Sequence, residues 1–187
     1  MNTYNLILKR RTIRKFQQKK LPKQVLLDCL NAARLAPSGA NRQPLEYILV
    51  AKNLESVFNC THWAGYLDNS APQQNEEPMA YIIILSHKKI NPEPKYDVGF
   101  AAENIILTAL EKEIAGCVIG SLDKAKLAKI LDIPESYTVE LVIALGYPKQ
   151  KSVAEESKGE LKYWLDEKNV LHVPKRRLKD ILHEEKF

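Results

Sequence analysis

The sequence predicts a layered domain that mixes helices with a sheet, of the α/β or α+β kind. Three observations predict it. Helical and strand-like patterns alternate along the chain, in the order α-α-β-α-β-α-β-α-β, before a polar tail. Residues 80–85 (AYIIIL) form an unbroken apolar run of strand length, the pattern of a strand covered on both faces. From Asp97 to Lys112, the residues Val98, Ala101, Ala102, Ile105, Ile106, Ala109 and Leu110 make a wide apolar stripe, the pattern of a helix buried on most sides. A chain of 187 residues is long enough to give these elements one real core, so a single domain spanning 1–187 is expected.

The remaining elements follow in order. Residues 3–9 read as a short helix that runs into Arg10-Arg11-Thr12-Ile13-Arg14-Lys15-Phe16. If that run is extended, period 2 puts Arg10, Thr12 and Arg14 on one face. Pro22 suits a first helical position, and Val25, Leu26, Cys29, Leu30, Ala33 and Leu35 follow at helical spacing. That helix must stop before Pro37, which leaves a loop from Ala36 to Pro44. Tyr47 to Val50 is a strand, and a short helix is expected near 53–60. Residues 68–78 are polar, rich in Gln, Asn and Glu, and are the best candidate for a mobile segment or lid. Residues 117–120 read as a short strand ending in glycine. Asp123 to Leu131 reads as a helix with Asp123 as its cap or first-turn acid. Val139 to Leu145 is a last strand, closed by Gly146-Tyr147-Pro148. The tail, 149–187, is charged and sparsely apolar and could not build a core alone. It reads as an extended arm that packs on something else.

Composition narrows the function classes. A net charge of +5 with a pI near 9.0 suits anionic partners. The charge is modest, with 23 acids among 28 bases, and it lacks the dense basic stripes of a dedicated nucleic-acid binder. The three cysteines are far apart, with no CxxC pair, and read as reduced core thiols of a cytoplasmic protein. No apolar run is long enough to span a membrane, and the N-terminus has no signal-peptide core. The histidines are not at metal-ligand spacing, and the phosphate-loop, GxGxxG and GxSxG patterns do not occur.

Four segments could share one site. In the Arg10–Arg14 run, two guanidinium forks flank a hydroxyl, which can clamp a phosphate at one end and a polar ring edge at the other. In the Pro37–Pro44 loop, small residues allow close backbone approach, while Ser38, Asn41 and Gln43 offer donors and acceptors to a heteroaromatic edge. In Gly116-Cys117-Val118-Ile119-Gly120-Ser121, a glycine-flanked strand tip lets backbone amides face a planar ligand. Lys175-Arg176-Arg177 adds late basic charge. Each segment alone is better explained as ordinary turn, strand or solvated surface. Glu103 could be a functional carboxylate, although a satisfied structural group explains it more simply.

Taken in order, these segments resemble the FMN-dependent nitroreductase family. The matching pieces are Arg10 to Phe16, Ala36 to Pro44, Asp97-Val98-Gly99-Phe100-Ala101-Ala102-Glu103-Asn104, Gly116 to Gly120, Leu145 to Pro148, and Lys175-Arg176-Arg177. The resemblance implies an α+β fold with a central, mostly antiparallel sheet flanked by helices. It also implies a homodimer in which the arm, 149–187, packs on the partner subunit and adds a strand to its sheet. FMN would lie at the interface, with NADH or NADPH as electron donor. By position, Arg10, Arg11 and Thr12 would hold the ribityl phosphate, and Arg14 would reach the N1/O2 edge of the ring. Pro37, Ser38, Gly39, Asn41 and Gln43 would come from the other subunit. Val118, Ile119 and Gly120 would lie along the ring near N5, and Lys175 and Arg177 would complete the phosphate site. No dedicated catalytic side chain or metal is implied, because the flavin carries the chemistry. The 62–78 region is short and polar, and the resemblance places no ring-edge contact in it. The implied activity is two-electron, ping-pong reduction of a small electron-poor acceptor, nitroaromatic or quinone. The alternatives are a flavin-bound protein with another role, such as dehalogenation or flavin storage, or an anion- or nucleic-acid-binding module.

Overall fold

The computed structural model describes residues 2–63, 65, 67 and 71–187. Its centre is a five-stranded antiparallel sheet ordered β1-β5-β3-β2, with β4 also pairing β5. The strands are β1 (Phe16–Gln17), β2 (Leu45–Val50), β3 (Ala80–His87), β4 (Ala115–Ile119) and β5 (Tyr137–Pro148). The helices are α1 (Thr3–Lys9), α2 (Lys23–Arg34), α3 (Leu54–Phe58), α4 (Lys95–Glu111) and α5 (Lys124–Ile130). This is the α+β fold expected from the sequence.

Alternation along the central strands gives the sheet two buried faces. Ile82 and Ile84 of β3, with Ile143 and Leu145 of β5, pack against Leu26, Cys29 and Ala33 of α2 and Ala101, Ile105 and Ala109 of α4. Tyr81, Ile83 and Leu85, with Val142 and Ala144, face the other way onto Ile13, Phe16, Val57 and Leu127. A strand covered on both sides must be apolar at every position, and β3 is buried from Ala80 to Ser86. Asn104 Nδ2 donates to the Ala32 carbonyl at 2.9 Å, which ties α4 to α2. All three cysteines are buried and unpaired, as expected.

Several details differ from the sequence reading. Pro22 is the N-cap of α2, one residue outside the helix. Asp123 does cap α5, its side chain accepting from the Lys126 amide. α4 is not buried on most sides: Tyr96 is 82% and Phe100 51% exposed, on one face of the helix. Residues 68–70 of the expected lid lie outside the described residues. The following stretch is fastened to β1 by Glu76, whose carboxylate takes Lys15 at 3.2 Å and Lys149 at 3.3 Å. The Phe16 amide also donates to the Glu76 carbonyl at 2.9 Å. Burial raises the Glu76 pKa, but hydrogen bonds from Lys15, the Gln73 amide and Lys149 outweigh it and leave the carboxyl below its ordinary value.

The tail is more ordered than an irregular arm. It forms a second sheet, β6-β8-β7, from β6 (Lys151–Glu156), β7 (Trp164–Leu165) and β8 (Val170–Lys175). β6 and β8 run parallel, and β7 and β8 antiparallel. Only Leu171 of this sheet is fully buried, so side-chain chemistry rather than a core holds it. His172 lies between Glu155 Oε2 at 2.8 Å and Asp166 Oδ2 at 3.4 Å, and Trp164 stacks on its ring at 4.2 Å.

Candidate functional site

The basic cluster is aimed by what flanks it. α1 ends at Arg10, whose amide donates to the Leu6 carbonyl. Beyond it the chain runs alongside β4: Thr12 bridges Gly116, and the Ile13 amide donates to the Gly116 carbonyl at 3.1 Å. Packing against α4 and β5 requires glycine at 116, where a Cβ would stand 2.7 Å from Ile106 Cδ1 and 3.1 Å from the Ala144 carbonyl. Ile13 and Phe16 are the buried anchors. Because they are three apart, strict alternation fails. Arg10, Arg11, Thr12 and Arg14 all line one concavity, together with Tyr163, Leu171, Val173 and Lys175 from the tail. Arg11, which period 2 would turn away, therefore belongs with the others.

The electrostatics of this hollow are strongly positive. Arg10 Nε meets Glu103 at 3.3 Å, a partner the sequence offered only as an ambiguous carboxylate. Arg11 donates to the Leu8 carbonyl, and its pKa is lowered, first by burial and then by the neighbouring Arg10. A guanidinium in that position is relieved by an anion. The Arg14 amide donates to Gln150 Oε1 at 3.2 Å, and its guanidinium carbon lies 5.2 Å from the Tyr163 ring centroid.

Arg14 also lines a second, adjoining hollow, with His62, Trp63, Cys117, Val118, Ile119, Gly120 and Ser121. Val118 is 43% exposed there, between buried Cys117 and Ile119. The Cys117 thiol is pushed up to about 11, chiefly by burial, and lies 3.7 Å from the Val118 carbonyl, so it is a core thiol and not a nucleophile. The expected strand-tip residues and Arg14 therefore meet. His62 and Trp63 were not singled out by the sequence reading; the contacts of this segment with Ser121 and Leu122, just beyond β4, reveal them.

The Pro37–Pro44 loop sits elsewhere in the single chain, around a hollow lined by Pro37, Ser38, Gln43, Tyr47 and Asp97. Buried Asp97, in the first turn of α4, holds it: Ser38 Oγ donates to Oδ2 at 2.6 Å and the Gly39 amide to Oδ1 at 3.1 Å. The Gln43 amide in turn donates to Ser38 Oγ at 2.9 Å. Ala40, Asn41 and Gln43 all have φ near +50° (51°, 52° and 49°), a strained backbone that this network holds in place. The Tyr47 hydroxyl is pushed up to about 12, first by burial and then by Asp97. In one chain, Pro37, Ser38, Gly39, Asn41 and Gln43 do not share the arginine hollow.

Lys175 and Arg177 separate. Lys175 joins the arginines, but Arg177 is engaged by Asp180 through two hydrogen bonds, at 2.8 and 3.1 Å. It lines a different hollow with Lys158 and Arg176. Among the described residues, no group of three or more His, Cys, Asp or Glu side chains could hold a metal ion. No helix of the described residues is long and apolar enough to cross a membrane.

Comparison with known proteins gives this geometry a family context. Residues 7–147 match the model of the nitroreductase family. An Archaeoglobus fulgidus protein carrying the proposed name NADH dehydrogenase/NAD(P)H nitroreductase is 28% identical, over 97% of each chain. A Thermotoga neapolitana iodotyrosine deiodinase is 26% identical, over 78% of this chain and 88% of its own. Among solved structures, an FMN-dependent nitroreductase from Clostridium difficile R20291 matches with a TM-score of 0.72 at 24% identity, covering 98% of this chain and 99% of the other.

Proposed function

Since the chain belongs to the nitroreductase family, we propose that it is an FMN-dependent oxidoreductase. It takes hydride from NADH or NADPH and passes two electrons to a small electron-poor acceptor of nitroaromatic or quinone type. The observation that carries this reading is the placement of Arg14 between two adjoining hollows. One is lined by Arg10, Arg11, Thr12 and Lys175, and the other by Val118, Ile119 and Gly120. Phosphate chemistry suits the first and a planar ring the second, and Arg14 lines both.

The residues fit the flavin chemically. A phosphate dianion would relieve the mutual repulsion of Arg10 and Arg11, and the Thr12 hydroxyl can donate to it. Arg14 would set a cation against the pyrimidine edge of the ring, where reduction adds negative charge. Bound flavin supplies a two-electron relay between donor and acceptor. The protein's part is to orient the ring, carry its charge and limit water.

A homodimer belongs to the proposal. It is supported by Tyr96 and Phe100 on α4 and by Tyr4, Ile7 and Leu8 on α1, all large and exposed in one chain. A second copy would also bring its own Pro37–Gln43 loop to the arginine hollow, which the loop does not reach within one chain. Among the described residues β2 pairs only with β3, so its outer edge is open to a strand from a partner's 149–187 arm. Three buried, unpaired thiols suit the reducing cytoplasm.

The purified protein is expected to be yellow and to bleach on addition of NADH or NADPH without oxygen. A colourless protein that does not take up FMN would overturn the reading. A second reading, reductive dehalogenation, is favoured by the match to the iodotyrosine deiodinase. Halide release from an iodophenol, faster than reduction of nitroaromatics and quinones, would select it.

A further inference from the structure

His62 is held beside the strand tip by a short zipper of main-chain contacts. Thr61 forms an antiparallel bridge with Leu122, the His62 amide donates to the Ser121 carbonyl at 2.9 Å, and the Asp123 amide donates to the Cys60 carbonyl at 2.8 Å. Thr61 Oγ1 closes the preceding turn on the Phe58 carbonyl at 2.7 Å. The backbone at His62 is thus fixed by the link from β4 to α5, while its side chain remains exposed in the hollow that Arg14, Val118 and Gly120 line. The imidazole has no hydrogen-bond partner among the described residues.

Among the described residues, three titratable side chains line that hollow: Arg14, Cys117 and His62. A guanidinium does not give up its proton, and the Cys117 thiol is buried and pushed up to about 11. Asp123 and Lys126 stand behind the zipper beside Cys60, with Lys126 Nζ on the Asn59 carbonyl at 3.4 Å and Asp123 capping α5. Of the described groups lining the hollow, the exposed imidazole is the one whose ring nitrogens can hand a proton to a bound molecule.

We infer that His62 is the proton donor to the acceptor in the second half-reaction. The inference rests on the flavin-reductase reading and deepens it. A quinone that took up a hydride would gain two electrons and one proton, with negative charge growing on its carbonyl oxygen as the hydride arrived. The second proton would pass from the His62 imidazolium to that oxygen in the same step, giving the neutral hydroquinone and a neutral imidazole that solvent reprotonates. The same cation attracts acceptors that carry or develop an oxyanion. The substrate class is therefore quinones and nitroaromatics whose reduction leaves negative oxygen on the side of the ring near His62.

The test uses the full chain loaded with FMN, with His62→Gln and His62→Arg beside the wild type. FMN uptake, read by absorbance, comes first; failure there removes the flavin reading and this inference with it. With FMN bound, anaerobic stopped-flow separates the half-reactions. Flavin reduction by NADH or NADPH is expected to be unchanged in both variants. Reoxidation by 1,4-benzoquinone is expected to slow by about a hundredfold in both, the lower end of what a positioned acid contributes. Its alkaline decline should also disappear. Benzoate binding, followed by NMR of the benzoate resonances, supplies a readout apart from turnover. It should weaken with rising pH in the wild type, be weak at all pH values in His62→Gln, and be retained without pH dependence in His62→Arg. Variants that bind FMN but keep wild-type reoxidation rates and pH profile would overturn the assignment and leave the flavin reading standing. Slowed reoxidation in His62→Gln alone, with His62→Arg at the wild-type rate, would overturn proton donation in favour of charge.

Discussion

Two polar networks hold the two movable-looking parts of this molecule, and they are built in opposite ways. The Pro37–Pro44 loop hangs on one buried carboxylate, Asp97, at 5% exposure and with hydrogen bonds from Ser38 and Gly39. The C-terminal sheet hangs on His172 with Glu155 and Asp166, all of them partly exposed to solvent. Burial of the Asp97 side chain makes the first network strong and costly to break, because a buried acid depends on the hydrogen bonds it accepts. Exposure makes the second weaker and sensitive to salt and pH. If the flavin reading holds, the first network shapes the part of the pocket given to a partner and the second positions Lys175 and Tyr163 beside the chain's own arginines. One half of the site is then rigid, and the other is tuned by conditions.

The sharpest way to break the comparison is Asp97→Ala. It strands the Ser38 hydroxyl and the Gly39 amide and removes what holds three left-handed residues in place. The expected cost is about 2–3 kcal/mol, from two hydrogen bonds to a charged, buried group, read by urea unfolding. FMN retention is expected to fall with it. An unfolding midpoint within error of the wild type would mean that the loop is held by something else.

A pH titration sharpens the same comparison at the other network. The hydrogen bond to Glu155 is the first reason the His172 pKa is raised. A raised imidazole pKa contributes stability that is fully present below the unfolded value and is lost as pH rises through the folded value. Glu155 is lowered first by its hydrogen bond from His172, and Asp166 first by the Val170 amide. Lowered carboxyl values contribute stability above the unfolded value and lose it as pH falls through the folded one. The C-terminal sheet is therefore expected to be firmest between the carboxylate range and the His172 transition, and to loosen on both sides. Amide exchange at β8, compared with β3 over the same pH range, reads this directly. His172→Ala is expected to flatten the alkaline limb for β8 and leave β3 unmoved.

How much of this was legible in the sequence follows the same division. The central strands were readable because double-sided burial admits only apolar residues, as at 80–85, and α4 because small residues must face the sheet. The arginine hollow was readable as a set, since order and spacing survive where side-chain contacts do not. Asp97 was not, because an acid in a first helical turn looks the same whether it faces water or a loop 58 residues upstream, at Gly39. The tail was least legible. Its sheet rests on pairings such as Glu155 with His172, 17 residues apart, which leave no periodic trace. His62 needed the bridge between Thr61 and Leu122, a contact with no sequence signature at all.

The smallest effect tests how the tail divides its late cations. Lys175 and Arg177 are two residues apart and carry the same charge, but only Lys175 lines the arginine hollow. Asp180 takes Arg177 in a forked pair at 2.8 and 3.1 Å, raising the guanidinium's pKa and lowering its own. An anion bound at Arg10 and Arg11 should therefore feel Lys175 directly and Arg177 only at a distance screened by Asp180. Lys175→Ala is expected to weaken FMN binding by about tenfold, the loss of one charge-assisted contact of roughly 1.4 kcal/mol. Arg177→Ala is expected to change it less than Lys175→Ala does, while Asp180→Ala, which frees the guanidinium, should tighten binding slightly. Titration of each apoprotein with FMN by fluorescence quenching decides between them. Equal losses at Lys175 and Arg177 would mean that the forked pair opens when the phosphate arrives, and that the exposed half of the site rearranges as the buried half does not.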